Sequence, residues 1–262
     1  MNWLEAILLG IIQGLTEFLP VSSSGHLEIG KVILGVEAER SLIFTVVVHG
    51  ATVLSTIVVF YRDILRLIKG LFALKWNDET RYVAKILLSM IPVAIVGLFF
   101  KEEVESFFTG NLVFVGSMLL VTATLLLFTH FKKSNTRQIT FLDSFIIGIS
   151  QAIAVLPGIS RSGSTIATGL MLGNKKADVA AFSFLMVLIP IIGANFKDIL
   201  DGEMAGSTAI SPMILLIGFL AAFVSGLIAC KWMIGIVKKG KLIYFSVYCY
   251  LVGIVAILSG VL

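Results

Sequence analysis

Six stretches of the chain, residues 41–61, 83–100, 112–131, 179–196, 212–230 and 242–262, are nearly free of charge. Each is close to the roughly 20 residues that a helix needs to cross hydrocarbon. A composition of 58% hydrophobic and 14% charged residues leaves too little polar surface to cover a soluble domain of this size. The chain therefore reads as an all-α polytopic membrane protein with six predicted spans. The N-terminal run carries Glu5 where a secretory signal has Lys or Arg, and no small-residue cleavage site follows, so it is expected to belong to the mature fold.

The cations are clustered. Six Lys/Arg lie between Arg62 and Lys85, three between Lys132 and Arg137, two at Lys175 and Lys176, and four between Lys231 and Lys241. The excess of Lys and Arg on cytoplasmic loops puts these segments inside. The acidic loops "KEEVES" (101–106) and "KDILDGE" (197–203), with three acids against one Lys each, are then outside, as are both termini. The formal net charge of +4 is thus spent on orientation, and nucleic acid is not an expected partner. Cys230 and Cys249 fall within predicted spans and read as small apolar packers, not as a disulfide or metal pair.

Two polar-interrupted segments, roughly 3–35 and 139–173, begin and end on the same side in this scheme, so each reads as a re-entrant helical hairpin. Irregular backbone at membrane depth is tolerated only against protein or a water-filled cavity, so the two tips are expected to line one polar chamber. "GIIQGLTEFLPVSSSGHLEIGKVILG" (10–35) aligns without gaps on "GISQAIAVLPGISRSGSTIATGLMLG" (148–173) with eight of 26 positions identical. The identities include Gln13 with Gln151, Ser22 with Ser160, Ser24 with Ser162 and Gly25 with Gly163, and "FYRDIL" (60–65) answers "NFKDIL" (195–200). One domain, 1–262, then divides into repeats 1–135 and 136–262, each a hairpin plus three crossings. An odd number of crossings turns the second copy upside down, an inverted plan common among transporters.

Ionisable groups at membrane depth ask for a function. Glu17 and His26 flank the first break and Arg161 sits in the second. Arg161 offers a planar fork matched to phosphate oxygens, and Glu17 a hard oxygen suited to Mg²⁺ or Ca²⁺. Ser23, three residues before His26, reads as a nucleophile with a base beside it, with His26 itself as the alternative attacking group. Ser22, Ser24, Ser160, Ser162 and Ser164 with Gly25 and Gly163 suit helix starts whose free amides favour an anion. His130 is expected at a solvated boundary, His49 as a polar helix contact, and Glu5, Glu28 and Asp143 facing water or headgroups. The bland reading of such Ser and Gly clusters is close helix packing. The coincidence of acid, hydroxyls, imidazole and guanidinium on the two breaks favours hydrolysis of a phosphoric ester or anhydride with a greasy end.

"QGLTEFLPVSSSGH" (13–26) and "PGISRSGST" (157–165) resemble the two signatures of the bacterial undecaprenyl-diphosphatases, also called bacitracin-resistance proteins, and the resemblance runs through the whole chain. It implies catalytic and phosphate-binding roles for Glu17, Ser23, His26 and Arg161 and a divalent cation, Mg²⁺ or Ca²⁺, with Glu17 as its ligand. It implies a C55 polyprenyl diphosphate as substrate, recycled for peptidoglycan synthesis, with consequences for cell shape and bacitracin resistance. The protein would lie in the bacterial inner membrane with its site opening to the outer face, and a homo-oligomer is left open. Gln13 stands where many members of that family carry a second Glu; Gln holds no negative charge but can donate to phosphate or ligate through its carbonyl oxygen. A lipid-phosphate transporter or flippase on the same inverted-repeat fold is the rival reading, which has no evident need for the Ser23 and His26 pair.

Overall fold

A computed structural model describes residues 1–35, 38–108, 110–132, 136–200 and 210–261, with side chains for all of these except 38–42, 194 and 196–200. Asn2 opens the chain's first helix, α1 (Trp3–Phe18), by accepting the Leu4 and Glu5 amides while the Glu5 carboxylate accepts the Asn2 amide, a reciprocal capping box. The helix stops before Leu19, which is extended because the residue ahead of a proline, here Pro20, is pushed out of helical geometry. After a short turn α2 (Ser23–Leu34) returns, ending at Gly35 with φ 64°. Sixteen residues at ~1.5 Å each reach roughly 24 Å, short of a ~30 Å hydrocarbon core, and α2 folds back on α1 as a hairpin.

Next come α3 (Ala38–Val59), α4 (Tyr61–Phe72), α5 (Asp78–Phe99), the short α6 (Lys101–Glu105) and α7 (Leu112–Phe131). The first predicted span ends where α3 meets α4 at a 76° bend. Beyond the bend Arg62, Arg66 and Lys69 alternate with exposed Leu65, Ile68 and Phe72, the pattern of a helix lying along the interface. A second hairpin follows, α8 (Phe141–Ile153) and α9 (Arg161–Met171), then α10 (Lys176–Met186), α11 (Leu188–Leu200), α12 (Pro212–Lys239) and α13 (Ile243–Val261). The predicted span 179–196 is interrupted at a single residue, Val187, between α10 and α11, yet Lys176–Gly193 taken together is long and apolar enough to cross a membrane. Pro190 lacks the amide that would bond to Met186 and its ring crowds that carbonyl, and α10 ends at Met186. Among the described residues five helices are long and apolar enough to cross a membrane, or six if the bent α3 and α4 count as one span. Residues 201–203 of the acidic stretch "KDILDGE", and the side chains of 196–200 within "NFKDIL", lie outside the described residues.

Packing inverts the soluble pattern. Leu216, Leu220, Val224 and Ile228 repeat every four residues on α12 and are all exposed, as are Leu87, Ile91, Ile95 and Leu98 on α5, forming stripes for lipid. Small residues face inward, where lipid-free association relies on close van der Waals approach. A Cβ on Gly10 would lie 2.6 Å from the Gly218 carbonyl oxygen of α12, and one on Gly148 would lie 2.3 Å from the Ser89 carbonyl oxygen of α5. The first helix of each hairpin thus presses on a long span from the other half of the chain, while α7 and α13 pack on each other through Gly116 and Gly253.

Asp143 does not face water as expected. It is buried, closes the Thr140 capping box at the start of α8, and takes the Arg137 guanidinium at 2.6 Å. Glu5 stays at the surface and His130 is exposed. Both cysteines are buried and free.

Candidate active site

The two hairpin breaks touch. A Cβ on Gly25 would lie 3.0 Å from Cα of Gly158, and one on Gly163 would lie 3.3 Å from Cβ of Pro20. Gly158 itself has φ 97°, a conformation that side chains other than hydrogen resist. Ser22 takes φ 72° without being glycine, and its hydroxyl accepts the Gly25 amide at 3.2 Å to cap α2. Ser160 caps α9 in the same way, accepting the Gly163 amide at 3.0 Å, while Thr122 of α7 accepts the Ser160 amide and donates to the Gly158 carbonyl. Ser162 donates across the contact to the Leu19 carbonyl at 3.1 Å.

This seam brings Glu17 and Arg161 into a direct ion pair. The carboxylate is 5% exposed and the guanidinium 27%, so the acid is held inside while the base keeps one side open. The other oxygen of Glu17 accepts Ser23 Oγ–H at 2.7 Å and Gln13 Nε2–H at 2.8 Å. Gln13 is fully buried, and its Oε1 has no partner among the described residues. Of the residues singled out in the sequence, Gln13, Glu17, Ser23 and Arg161 therefore converge, and Ser24 joins the wall of the same cavity. The hydroxyls of Ser22, Ser160 and Ser162 are engaged with backbone groups, Gly25 and Gly163 serve close approach, and Ser164 is buried with no partner among the described residues.

The expected Ser23 and His26 pair is not formed. His26 Nδ1–H donates to the Ser22 carbonyl at 2.8 Å, and Nε2 meets the Tyr248 hydroxyl of α13 at 2.8 Å, with the two rings stacked. The reason is local. Ser23 begins α2, so its side chain reaches back to Glu17, whereas His26 bonds the carbonyl one turn behind it and faces α13.

A cavity of about 850 Å³ opens from this cluster, with Ser23, Ser24, Glu28, Lys31, His49, Gln151 and Arg161 in its wall. Beside it, sharing Thr45, His49, Val93, Phe108 and Arg161, a groove of about 660 Å³ runs along α5 past Met90, Ala94, Gly97 and Leu98. Glu28 is buried in the chamber wall and paired with Lys31 at 3.1 Å, which corrects its expected place in water. His49 is likewise more than a helix contact, since its Nε2 lies 3.9 Å from Glu17 Oε2 while its Nδ1–H donates to the Thr45 carbonyl. Both have a signal in the sequence: Ser24, Glu28 and Lys31 share one face of α2, and Thr45, His49, Thr52 and Thr56 share one face of α3. The alignment of the two hairpins had already matched Gln151 with Gln13.

Residues 6–255 match the profile of the family described as Bacitracin resistance protein BacA. A protein of Bacteroides fragilis named undecaprenyl-diphosphatase is 58% identical over 262 residues, covering 98% of each chain. Proteins of the same name from Parabacteroides distasonis and Methanobrevibacter smithii are 57% and 37% identical, covering 98% of both chains and 100% and 99% of the two chains respectively.

Proposed function

The chain belongs to the bacitracin resistance protein BacA family, and from that premise we propose that it is a multi-pass membrane phosphatase hydrolysing undecaprenyl diphosphate to undecaprenyl phosphate and inorganic phosphate. The product is the lipid carrier of peptidoglycan synthesis, and withdrawing the diphosphate that bacitracin sequesters accounts for resistance. The observation that carries this reading is the Glu17 and Arg161 pair with Ser23 on the same carboxylate, where Ser23 and Arg161 stand with Ser24, Glu28, Lys31 and Gln151 in the wall of a large cavity that continues into an apolar groove. Such a cavity suits a molecule with a phosphate head and a hydrocarbon tail.

In this reading Arg161 holds the terminal phosphoryl oxygens through paired contacts. Ser23 Oγ attacks the terminal phosphorus as its proton passes to Glu17, and the bond from phosphorus to the bridging oxygen breaks, so the prenyl monophosphate leaves with that oxygen. Water then attacks the phosphoserine, releasing inorganic phosphate and returning a proton to Ser23 Oγ. His49, whose Nδ1–H is committed to Thr45, presents Nε2 to the chamber as acceptor for the water's proton. His26 props the Ser22 carbonyl and thereby the strained turn.

The described residues hold no group of three or more His, Cys, Asp and Glu able to bind a metal ion. Glu17 and Gln13 Oε1, which has no partner among the described residues, are two hard oxygens on neighbouring side chains, a donor set that fits Mg²⁺ or Ca²⁺. Bound there, the ion would supply neutralisation of phosphate charge. The chamber is taken to open outward from the inner membrane, because Gly35, Glu105 and Gly110 at its mouth belong to loops that the charge pattern leaves outside. The matching order of helices in the two halves supports an inverted repeat.

Purified protein is expected to release phosphate from a prenyl diphosphate, with a rate that falls in EDTA, and Arg161→Ala is expected to release none. Translocation of the lipid without phosphate release would replace the enzyme reading with the transporter one. For orientation, an impermeant thiol reagent on whole cells is expected to label Ser106→Cys and spare Lys239→Cys; the reverse pattern would overturn it.

A further inference from the structure

At the far end of α7 from the chamber mouth lies a second, smaller cavity of about 70 Å³. It is framed by Thr129, His130 and Lys132 at the end of α7, Asn174 and Lys176 at the turn into α10, and Gly240 at the end of α12. We infer that this cavity is a binding site for a phosphate-class oxyanion, separate from the chamber. Asn174 carries the argument. It is 1% exposed, its backbone amide is satisfied by the Gly169 carbonyl at 3.1 Å, yet neither Nδ2 nor Oδ1 of its side chain has a partner among the described residues. Buried polar groups in folded proteins are almost always matched, so an unmatched carboxamide in the wall of a cavity points to something that enters it.

The surroundings select the charge of that ligand. Lys176 Nζ is lodged against the cavity wall, so close that a Cβ on Gly240 would lie 2.5 Å from it. No side chain caps the start of α10, which begins at Lys176, and open helix amides favour an anion. Lys132 and His130 complete a rim that holds no carboxylate among the described residues. The bland alternative is that these lysines lie here only because cytoplasmic loops are rich in Lys and Arg. That accounts for the cations but gives Asn174 no reason to be buried unmatched between them. The same chemistry is offered by free inorganic phosphate and by the phosphomonoester head of a lipid.

The test titrates inorganic phosphate into the full-length protein in detergent micelles, reading phosphorus NMR linewidth and the thermal unfolding midpoint, in an Arg161→Ala background that silences the chamber. A saturable response is expected to survive Arg161→Ala and to weaken by about tenfold or more in Lys176→Gln and in Asn174→Ala, as loss of a charge-assisted or buried hydrogen bond implies. Lys176 is half-buried at a helix start, so its variant keeps the test valid if Asn174→Ala fails to fold. In the otherwise unaltered protein, Lys176→Gln is expected to leave diphosphate hydrolysis unchanged. A response that vanishes with Arg161→Ala, that persists undiminished in Lys176→Gln, or that potassium chloride reproduces at equal ionic strength would overturn the site. Competition by dihexanoyl phosphatidic acid would assign the pocket to a lipid head, and its failure to compete would assign it to free phosphate.

Discussion

Replacing Glu17 by Gln keeps the side chain's shape and removes its charge, and the structure makes two opposed consequences follow. Under the proposed mechanism Glu17 competes with substrate for Arg161 in the unaltered protein, since the guanidinium's anionic partner is already in place. A phosphate oxygen about 5 Å from the carboxylate would feel about 3 kcal/mol of repulsion per charge at an effective dielectric of about 20. Chamber water reduces this, and about 1.4 to 2.8 kcal/mol remains as a working range, or ~10- to 100-fold tighter binding of a non-hydrolysable prenyl methylenediphosphonate by Glu17→Gln. Turnover moves the other way. The variant loses the proton acceptor bonded to Ser23 Oγ at 2.7 Å, and such a loss is expected to lower kcat by ~100- to 10,000-fold. The unpaired Arg161 also destabilises the fold by about 2 to 4 kcal/mol, below the usual range for a broken buried pair because one side of the guanidinium is wet. Phosphate should therefore raise the unfolding temperature of Glu17→Gln more than that of the parent protein. Binding is measured calorimetrically in EDTA, so that no cation bridges carboxylate and phosphate. Weaker analogue binding together with near-normal kcat would refute the reasoning, because Glu17 would then neither oppose the phosphate nor serve Ser23.

Arg161→Lys keeps the charge but not the fork, and kcat is expected to fall by about 100- to 1,000-fold in a phosphate-release assay; parity with the parent protein would make Arg161 a structural ion. His49→Gln is expected to lose about 100-fold or more in kcat and to recover as pH rises and hydroxide replaces the missing base, while Tyr248→Phe and His26→Gln, which disturb only the prop behind the turn, change kcat less and alike. A reversed ranking, with His26→Gln the more damaging, would return the base to position 26. Gly97 borders the apolar groove with nothing within 4 Å of an added Cβ, so Gly97→Phe is expected to raise KM about tenfold for a C55 diphosphate and to leave a short-chain diphosphate unaffected. Equal effects on both lengths would mean that the tail lies elsewhere.

Asp143 shows how a local pattern can be correct and its meaning missed. A Thr140 to Asp143 capping box is visible in the sequence, but the burial of Asp143 depends on Arg137 arriving from the preceding segment. The span at 179–196 is similar: the apolar run is long enough to cross, and Pro190 within it marks the one-residue interruption at Val187.

Much about this protein was determined by sequence alone, because the constraints involved are local or compositional. Apolar run length dictates crossing helices in a medium where no backbone group can go unsatisfied. Proline, serine and glycine at the two breaks dictate where helices stop and restart, and the placement of Glu17 and Arg161 at those breaks was legible before their pairing was. What only tertiary structure decided is which way side chains face once both breaks meet. Ser23 and His26 are three residues apart, yet one reaches back to Glu17 on α1 and the other turns to Tyr248 on α13, 222 residues away. His49, Glu28 and Lys31 enter the chamber because α2 and α3 are rotated by contacts with distant helices, α7 and α12 among them. Helix period tells which residues share a face, but the partner of that face is set by packing between segments far apart in the chain, and no local pattern encodes that choice.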